Sequence, residues 1–293
     1  MGQGDGVTSG RGRRRTVLAR LAAATLLLGS SGGLAVPGPA LAESPDVGAP
    51  AADRFDLVVL DAGHGGHDEG ATGPSGLHEK DLVLDVTKRL AEHLRERGLE
   101  VVLTRTGDRF LSLEERTAVA NDARADLFLS IHANASQSRR PSGVETYFAS
   151  LDATDDAARA TAERENSAFG AEARALDPSD PLAAILGDLI ETEHLQESSE
   201  FAKLAQSELS RVARSRSRGV KQAPFVVLMG VRMPASLVEI GFITNPDEEK
   251  TLRNGRRRDA IVGALAEAVL AFRERYDARR GVGTIERTAS RAR

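Results

Sequence analysis

The stretch Leu57-Val58-Val59-Leu60-Asp61-Ala62-Gly63-His64-Gly65-Gly66 joins an unbroken apolar run to a glycine-rich turn that carries a histidine. A strand with one wet face alternates apolar and polar residues. A continuous run such as residues 57–60 instead fits a strand buried on both faces of a sheet. The glycines after it let the backbone bend sharply. Downstream, Leu82, Val83, Val86, Leu90 and Leu94 recur at helical spacing, and Gly98 supplies a stop. Residues 99–103 (LEVVL) read as a second strand. Ser112 with Glu115 is a capping-box signature for a helix reaching about Arg124. Residues 126–132 (DLFLSIH) read as a third strand and 144–148 (VETYF) as a fourth. Strands alternating with helices predict an open, twisted, mostly parallel α/β sheet flanked by helices. Ligands of such sheets bind beyond the carboxyl ends of the strands. His64 and His132 both lie at such ends.

From residue 150 to about 217 the chain turns polar, Ala-rich and helical in pattern, with a break at Asp177-Pro178-Ser179-Asp180-Pro181. Leu182, Ile185, Leu186, Leu189 and Ile190 form one apolar stripe. Phe201, Leu204 and Leu209 form another. The expectation is a helical insertion at about 152–194, then a helix that packs back on the sheet. Residues 225–229 and 236–242 return to strand character, 245–249 open a short helix, and 260–272 form a closing amphipathic helix. A single catalytic domain would span 56–276, preceded by a linker at 43–55 and followed by a flexible tail at 277–293.

The N-terminal segment reads as an address and not as part of the fold. Arg11, Arg13, Arg14 and Arg15 precede a short apolar run over 17–29, and Ala40-Leu41-Ala42 is a small-x-small cleavage signal. This predicts a signal peptide over 1–42, too short and too weakly apolar for a stable membrane span. Arg14-Arg15-Thr16-Val17-Leu18 also fits a twin-arginine export signal, with ordinary secretion as the alternative. The expected location is periplasmic or extracellular. The net charge of −4 and the pI near 5.9 argue against nucleic acid as a partner. Aromatic residues make up only 4% of the chain and Trp is absent, so an aromatic stacking platform is not the main device. Cysteine is absent too, which excludes a thiolate nucleophile and any thiolate metal ligand. A metal site in this chain must be built from His, Asp and Glu.

Four residues carry the candidate chemistry. His64 and His132 each end a buried strand. Either alone reads as readily as a structural histidine; together they suggest a pair. Glu79 opens the helix bearing Leu82 and Val86, where a glutamate also suits the helix dipole. Two histidines and one carboxylate are a known hydrolytic zinc set. Glu239 sits inside the apolar strand Leu237-Val238-Glu239-Ile240. Burial there is costly without a partner or a function. It reads either as a residue on a solvated face or as a general base with a raised pKa.

The segments LDAGHGGHDEGATG (60–73), GLHEKDLVL (76–84), LFLSIHANAS (127–136), GVETYF (143–148) and SLVEIGFITNPDEE (236–249) occur in this order. In that order the chain resembles the zinc-dependent N-acetylmuramoyl-L-alanine amidases used in cell separation, from about Leu57 to near Tyr276. The resemblance implies one Zn2+ held by His64, Glu79 and His132, with Glu239 as the catalytic glutamate. Peptidoglycan would be the substrate, cut at the amide between the lactyl group of N-acetylmuramic acid and L-alanine. Asn134 is a candidate oxyanion or substrate contact. The resemblance also implies that the insertion blocks the zinc site until an activator protein moves it. Glu163, Glu165, Glu191 and Glu193 are candidates for the blocking residue, against an elaborated surface loop as the alternative. The stretch between Glu43 and Arg54 is too short for the N-terminal targeting domain that many relatives carry. Two rival functions are another envelope zinc hydrolase of the same fold (a peptidase or deacetylase) and a non-catalytic wall-binding or activator protein.

Overall fold

The computed structural model describes residues 54–167, 192–212 and 216–282. Strands β1 (Leu57–Ala62), β2 (Glu100–Leu103), β3 (Leu127–Asn134), β4 (Val144–Ala149), β5 (Ser217–Ala223) and β6 (Ala235–Phe242) form one sheet in the order β2-β1-β3-β6-β4-β5. β1 runs parallel to β2 and β3, β3 parallel to β6, and β4 parallel to β5; only β4 and β6 pair antiparallel. The helices are α1 (Glu79–Glu96), α2 (Leu113–Ala123), α3 (Asp156–Ser167), α4 (Thr192–Val212), α5 (Val226–Met229), α6 (Pro246–Leu252) and α7 (Gly255–Arg279).

The continuous apolar runs have the cause expected of them. Leu60, Leu129, Ile131 and Val238 face a core closed by α1, α4 and α7, where Leu90, Phe201 and Phe272 are fully buried. Val59, Phe128, Leu237 and Tyr147 face a second core closed by α2, α3 and α5. From β1 the chain steps to β2 on one side, then crosses to β3 on the other. Connections that leave in opposite directions open a crevice at the carboxyl ends of β1 and β3, where α/β sheets bind their ligands. Local signals agree. Ser112 accepts from the Glu115 amide at 3.2 Å while Glu115 accepts from the Ser112 amide at 2.7 Å, so both halves of the capping box form. Asn245 and Asn254 cap α6 and α7.

Three expectations need correction. Residues 226–229 are a buried helical turn, not a strand. A short apolar run does not reveal its own period. The strand lies just before it, in the polar sequence SRGVKQA at the sheet edge. The linker expected over 43–55 ends inside the fold, because Phe55 is fully buried with its ring 5.8 Å from that of Phe272. The tail expected from Asp277 starts late, since α7 runs to Arg279 and the Asp277 carboxylate accepts from the Phe55 amide at 2.9 Å. The signal segment 1–42, the linker up to residue 53, the Asp177–Pro181 break with the apolar stripe 182–190, and residues 283–293 lie outside the described residues. Among the described residues no helix is long and apolar enough to cross a membrane.

One buried ion pair stitches the crevice from beneath. The Arg116 guanidinium, 1% exposed, donates to Asp61 Oδ1 at 2.7 Å and to the carbonyls of Ala62 and His64, each at 2.8 Å. Asp61 also accepts from the Thr104 and Ser130 hydroxyls. Burial pushes the Asp61 carboxyl up, but the Arg116 charge and these hydrogen bonds outweigh it and leave the pKa below the usual 3.8. A depressed folded-state pKa contributes stability that is present above the unfolded value and is lost as pH falls through the folded one. Arg116→Met strands a buried carboxylate. We expect it to cost about 3–5 kcal/mol and to lower Tm by roughly 10 °C in thermal unfolding at neutral pH. Adding Asp61→Asn should recover part of the loss. A Tm within about 2 °C of the parent would show that the pair does not brace the turn.

Candidate metal centre

β1 delivers His64 to the crevice, β3 delivers His132, and the first residue of α1 is Glu79. His64 holds a left-handed backbone (φ 59°), unusual for a residue with a side chain. The geometry is enforced from behind: Arg116 grips the His64 carbonyl, and Arg105 donates to the carbonyls of Ala62 and Gly63 at 2.9 and 2.8 Å. Two glycines make room for the ligands. A Cβ on Gly63 would sit 2.3 Å from the His132 ring, and one on Gly70 would sit 2.6 Å from the His64 ring.

The fourth member of the cluster comes from the insertion. Glu165 of α3 reaches over the crevice, and one donor atom from each of His64, Glu79, His132 and Glu165 lies within 4.8 Å of the others. His64 Nε2 is 3.2 Å from both Glu79 Oε1 and Glu165 Oε2. His132 Nδ1 is 3.3 Å from Glu79 Oε1 and 3.0 Å from Glu165 Oε2. Yet His64 Nε2, His132 Nδ1 and Glu165 Oε2 are buried without a properly directed hydrogen bond. The atoms are close but aim at a common centre instead of at one another. A tetrahedron with ligands about 2.0–2.1 Å from a central ion has edges of about 3.3 Å, which the observed contacts approach. All four donors are the N and O atoms that a divalent ion of the zinc type accepts. The residues present therefore fit a metal ion.

The charges tell the same story. Burial disfavours an imidazolium at His64, but the Glu79 charge, the hydrogen bond to Asp68 and the close Glu165 carboxylate hold its pKa well above the ordinary range. His132, likewise penalised by burial, is pushed up to about 10, chiefly by the Glu165 charge. Burial works against ionised Glu79, but the His64 charge and the close His132 and His64 rings bring it down to about 2. Glu79 is further fixed by two amides: Ala133 N donates to Oε1 and Ala71 N to Oε2, each at 2.9 Å. Two imidazolium protons against two carboxylates make a site where one divalent cation can take the place of two protons.

Glu239 pairs in register with His132 across β3 and β6, so both side chains project from the same face. It is fully buried, and neither carboxyl oxygen has a hydrogen-bond partner. Burial first, then the Glu165 charge, pushes its pKa well above the usual carboxylate range. The solvated-face reading of Glu239 is thereby set aside. Asn134 is the last residue of β3 and is buried. Its Nδ2 donates to Glu145 at 2.8 Å, while its Oδ1 accepts from Ala135 N and from Arg164 Nη2 of α3, both at 2.8 Å. The amide thus turns its acceptor end to the α3 side. Of the candidate blocking residues, Glu163 is exposed and Glu165 is in the cluster. Glu191 and the Glu193 side chain fall outside the described residues.

The sequence reading missed several residues that shape this site. Arg105 and Arg116 were given no role, since arginines default to the surface. Asp68, 2.8 Å from His64 Nδ1, and Arg164, which ties Glu165 to Asn134, were not singled out. A groove of about 720 Å³ opens beside the cluster, lined by His64, Asp68, Thr72, Ser136, Arg139 and Thr244 among others.

A mostly parallel α/β sheet with a buried two-His, two-Glu cluster at its carboxyl edge, beside an open groove, is an arrangement that could hold a metal ion within reach of a bound substrate. A family model described as N-acetylmuramoyl-L-alanine amidase matches residues 58–271. The chain is 37% identical over 223 residues to the N-acetylmuramoyl-L-alanine amidase AmiA of Escherichia coli K12, covering 75% of this chain and 77% of AmiA. Its fold is similar to the crystal structure of an N-acetylmuramoyl-L-alanine amidase from Clostridium difficile 630, with TM-score 0.57 and 29% identity over 75% of this chain and 97% of that one. It is similar as well to the CwlD amidase of Clostridioides difficile, solved in complex with the GerS lipoprotein, with TM-score 0.56 and 25% identity over 74% of this chain and 98% of that one. The chain belongs to the N-acetylmuramoyl-L-alanine amidase family, and its activity is that of a peptidoglycan amidase.

Proposed function

We propose that this chain is an exported, zinc-dependent wall amidase that acts in daughter-cell separation and is held at rest by its own helix α3. The observation that carries the metal reading is the convergence of His64 Nε2, His132 Nδ1 and carboxylate oxygens of Glu79 and Glu165 on one point, with cross-contacts of 3.0–3.3 Å. Zinc bound there would supply a Lewis acid that acidifies water and polarises the amide carbonyl.

The residues of the chain do the rest. Glu79 is locked by two backbone amides, so it cannot double as a proton carrier. Glu239 has no competing donor and a pKa raised by burial, which suits a group that must first accept a proton and then release it. It would take a proton from the attacking water and pass it to the departing nitrogen. The products are a lactyl carboxylate on the sugar and a free amino group on L-alanine.

Rest and activation follow from α3. Glu165 fills the position that substrate or water needs. The helix is seated mainly by polar contacts: Arg164 to Asn134, Asn166 to the Pro224 carbonyl and the Val226 amide, and Asp155 to Lys221. Its buried apolar side chains are two alanines, Ala158 and Ala162. Few apolar contacts make an element easy to withdraw. A protein activator would act by stabilising the withdrawn helix. Support for export rests on the arginine cluster, the apolar run and the Ala40-Leu41-Ala42 signal.

The test is digestion of purified peptidoglycan with product amines labelled, using the parent and an unblocked Glu165→Gln chain side by side. We expect new amino groups on L-alanine, loss of turnover to background with a chelator, and recovery with zinc. New amines on the sugar would point to a deacetylase, and new amines within the stem to a peptidase. Turnover indifferent to chelation would remove the metal from the mechanism.

A further inference from the structure

We propose that Asp68 is a positioning residue for the metal centre, holding the His64 imidazole so that Nε2 faces the ion. The proposal rests on the metal reading above and adds a residue to it. Asp68 Oδ2 lies 2.8 Å from His64 Nδ1, and the two side chains are only 9% and 4% exposed. An ionised carboxylate can only accept, so the proton between them belongs to Nδ1. In the neutral ring that leaves the lone pair on Nε2, the atom that faces the cluster 3.2 Å from carboxylate oxygens of Glu79 and Glu165.

Asp68 is itself immobilised. Its Oδ1 accepts from Gly70 N at 3.1 Å, and its backbone exchanges two hydrogen bonds with Gly65, at 2.8 and 3.2 Å. The loop therefore folds back on itself and presents the carboxylate to the ring from behind. His132 is held otherwise. Among the described residues its carboxylate contacts are through Nδ1, the cluster-facing nitrogen, and none reaches its other nitrogen. The burden of carboxylate support for a metal-facing imidazole thus falls on Asp68. Partners of this kind typically change metal affinity by roughly 10–100-fold.

Asp108 provides the control. It braces the same loop, accepting from Gly66 N at 2.7 Å and from Lys80 Nζ at 3.1 Å, but touches neither imidazole. Zinc affinity of the full chain would be measured by competition with a chromophoric chelator, together with thermal unfolding of the metal-free proteins. We expect Asp68→Ala to weaken zinc binding roughly 10–100-fold, Asp68→Asn to weaken it less because it keeps an acceptor, and Asp108→Asn to stay within about twofold of the parent. Nitrogen NMR of the imidazoles should show Nδ1 protonated at His64 in the metal-loaded parent and a mixture of tautomers in Asp68→Ala. If Asp68→Ala does not fold, Asp68→Asn and the tautomer signal carry the test.

Zinc binding by Asp68→Ala within about twofold of the parent, or an equal loss in Asp108→Asn, would overturn the assignment. A parent that binds no zinc would instead sink the metal reading, and this proposal with it.

Discussion

A Glu239→Gln chain is expected to fold, to bind zinc as tightly as the parent, and to hydrolyse peptidoglycan roughly 10²–10⁴-fold more slowly. Each part of this expectation has its own cause. Folding survives because Glu239 is fully buried with no donor to either oxygen. Burial and the neighbouring carboxylates push its pKa up, so the uncharged amide of glutamine suits the same surroundings and has the same shape. Metal binding survives because Glu239 is outside the four-residue cluster. Turnover collapses because an amide cannot take a proton from water at neutral pH. The parent should lose activity on the acid side as its base becomes protonated, and the variant's residual rate should lack that limb. Steady-state rates on labelled peptidoglycan, with zinc content measured on the same samples, check all three parts. An active variant would move the proton-transfer role to another group. A variant that lost zinc would instead place Glu239 among the ligands.

The parts of this molecule that were legible in its sequence are those where a single physical demand acts over several residues. β1, β3 and β6 are buried on both faces, so their apolar runs are continuous. Helix α1 buries one stripe, so Leu82, Val86 and Leu90 recur at its period. His64 and His132 stand out because both interrupt such runs at a strand end. The illegible parts are those where pairing, not burial, decides. β5 is an edge strand with a polar sequence, held by its ladder to β4. Arg105 and Arg116 are buried only because backbone carbonyls and Asp61 surround them, and no local pattern announces that. The choice among the acidic residues of the insertion was closer to hand. Ala158, Thr161, Ala162 and Glu165 fall on one helical face and are the buried side of α3, together with Asn166. Glu163 is off that face. The spacing contained the answer once 156–167 was treated as a helix lying against the sheet.

Replacing Glu165 with Gln should move two measurements in opposite directions. In the resting state the Glu165 carboxylate lies 3.0 Å from His132 Nδ1 and 3.2 Å from His64 Nε2, and its pKa is held well below the usual range: burial opposes the charge, but His132 and His64 outweigh it. Glutamine keeps the size and removes the charge. A close contact between charged groups of this kind is worth about 1.5–3 kcal/mol. Losing one such interaction shifts the balance between seated and withdrawn α3 by roughly ten- to a hundredfold. The other contacts of the helix do not compensate, because its buried apolar side chains are two alanines. Basal peptidoglycan hydrolysis should therefore rise by up to that factor, without any activator. Zinc affinity should fall at the same time, because the cluster loses one of its four donors while His64, Glu79 and His132 remain. A residue that merely supported the fold would lower both quantities together, and a bystander would change neither. Faster turnover with weaker zinc binding is the signature of a carboxylate that holds the metal position against substrate. If turnover falls along with zinc affinity, Glu165 belongs to the working site and α3 is not a block.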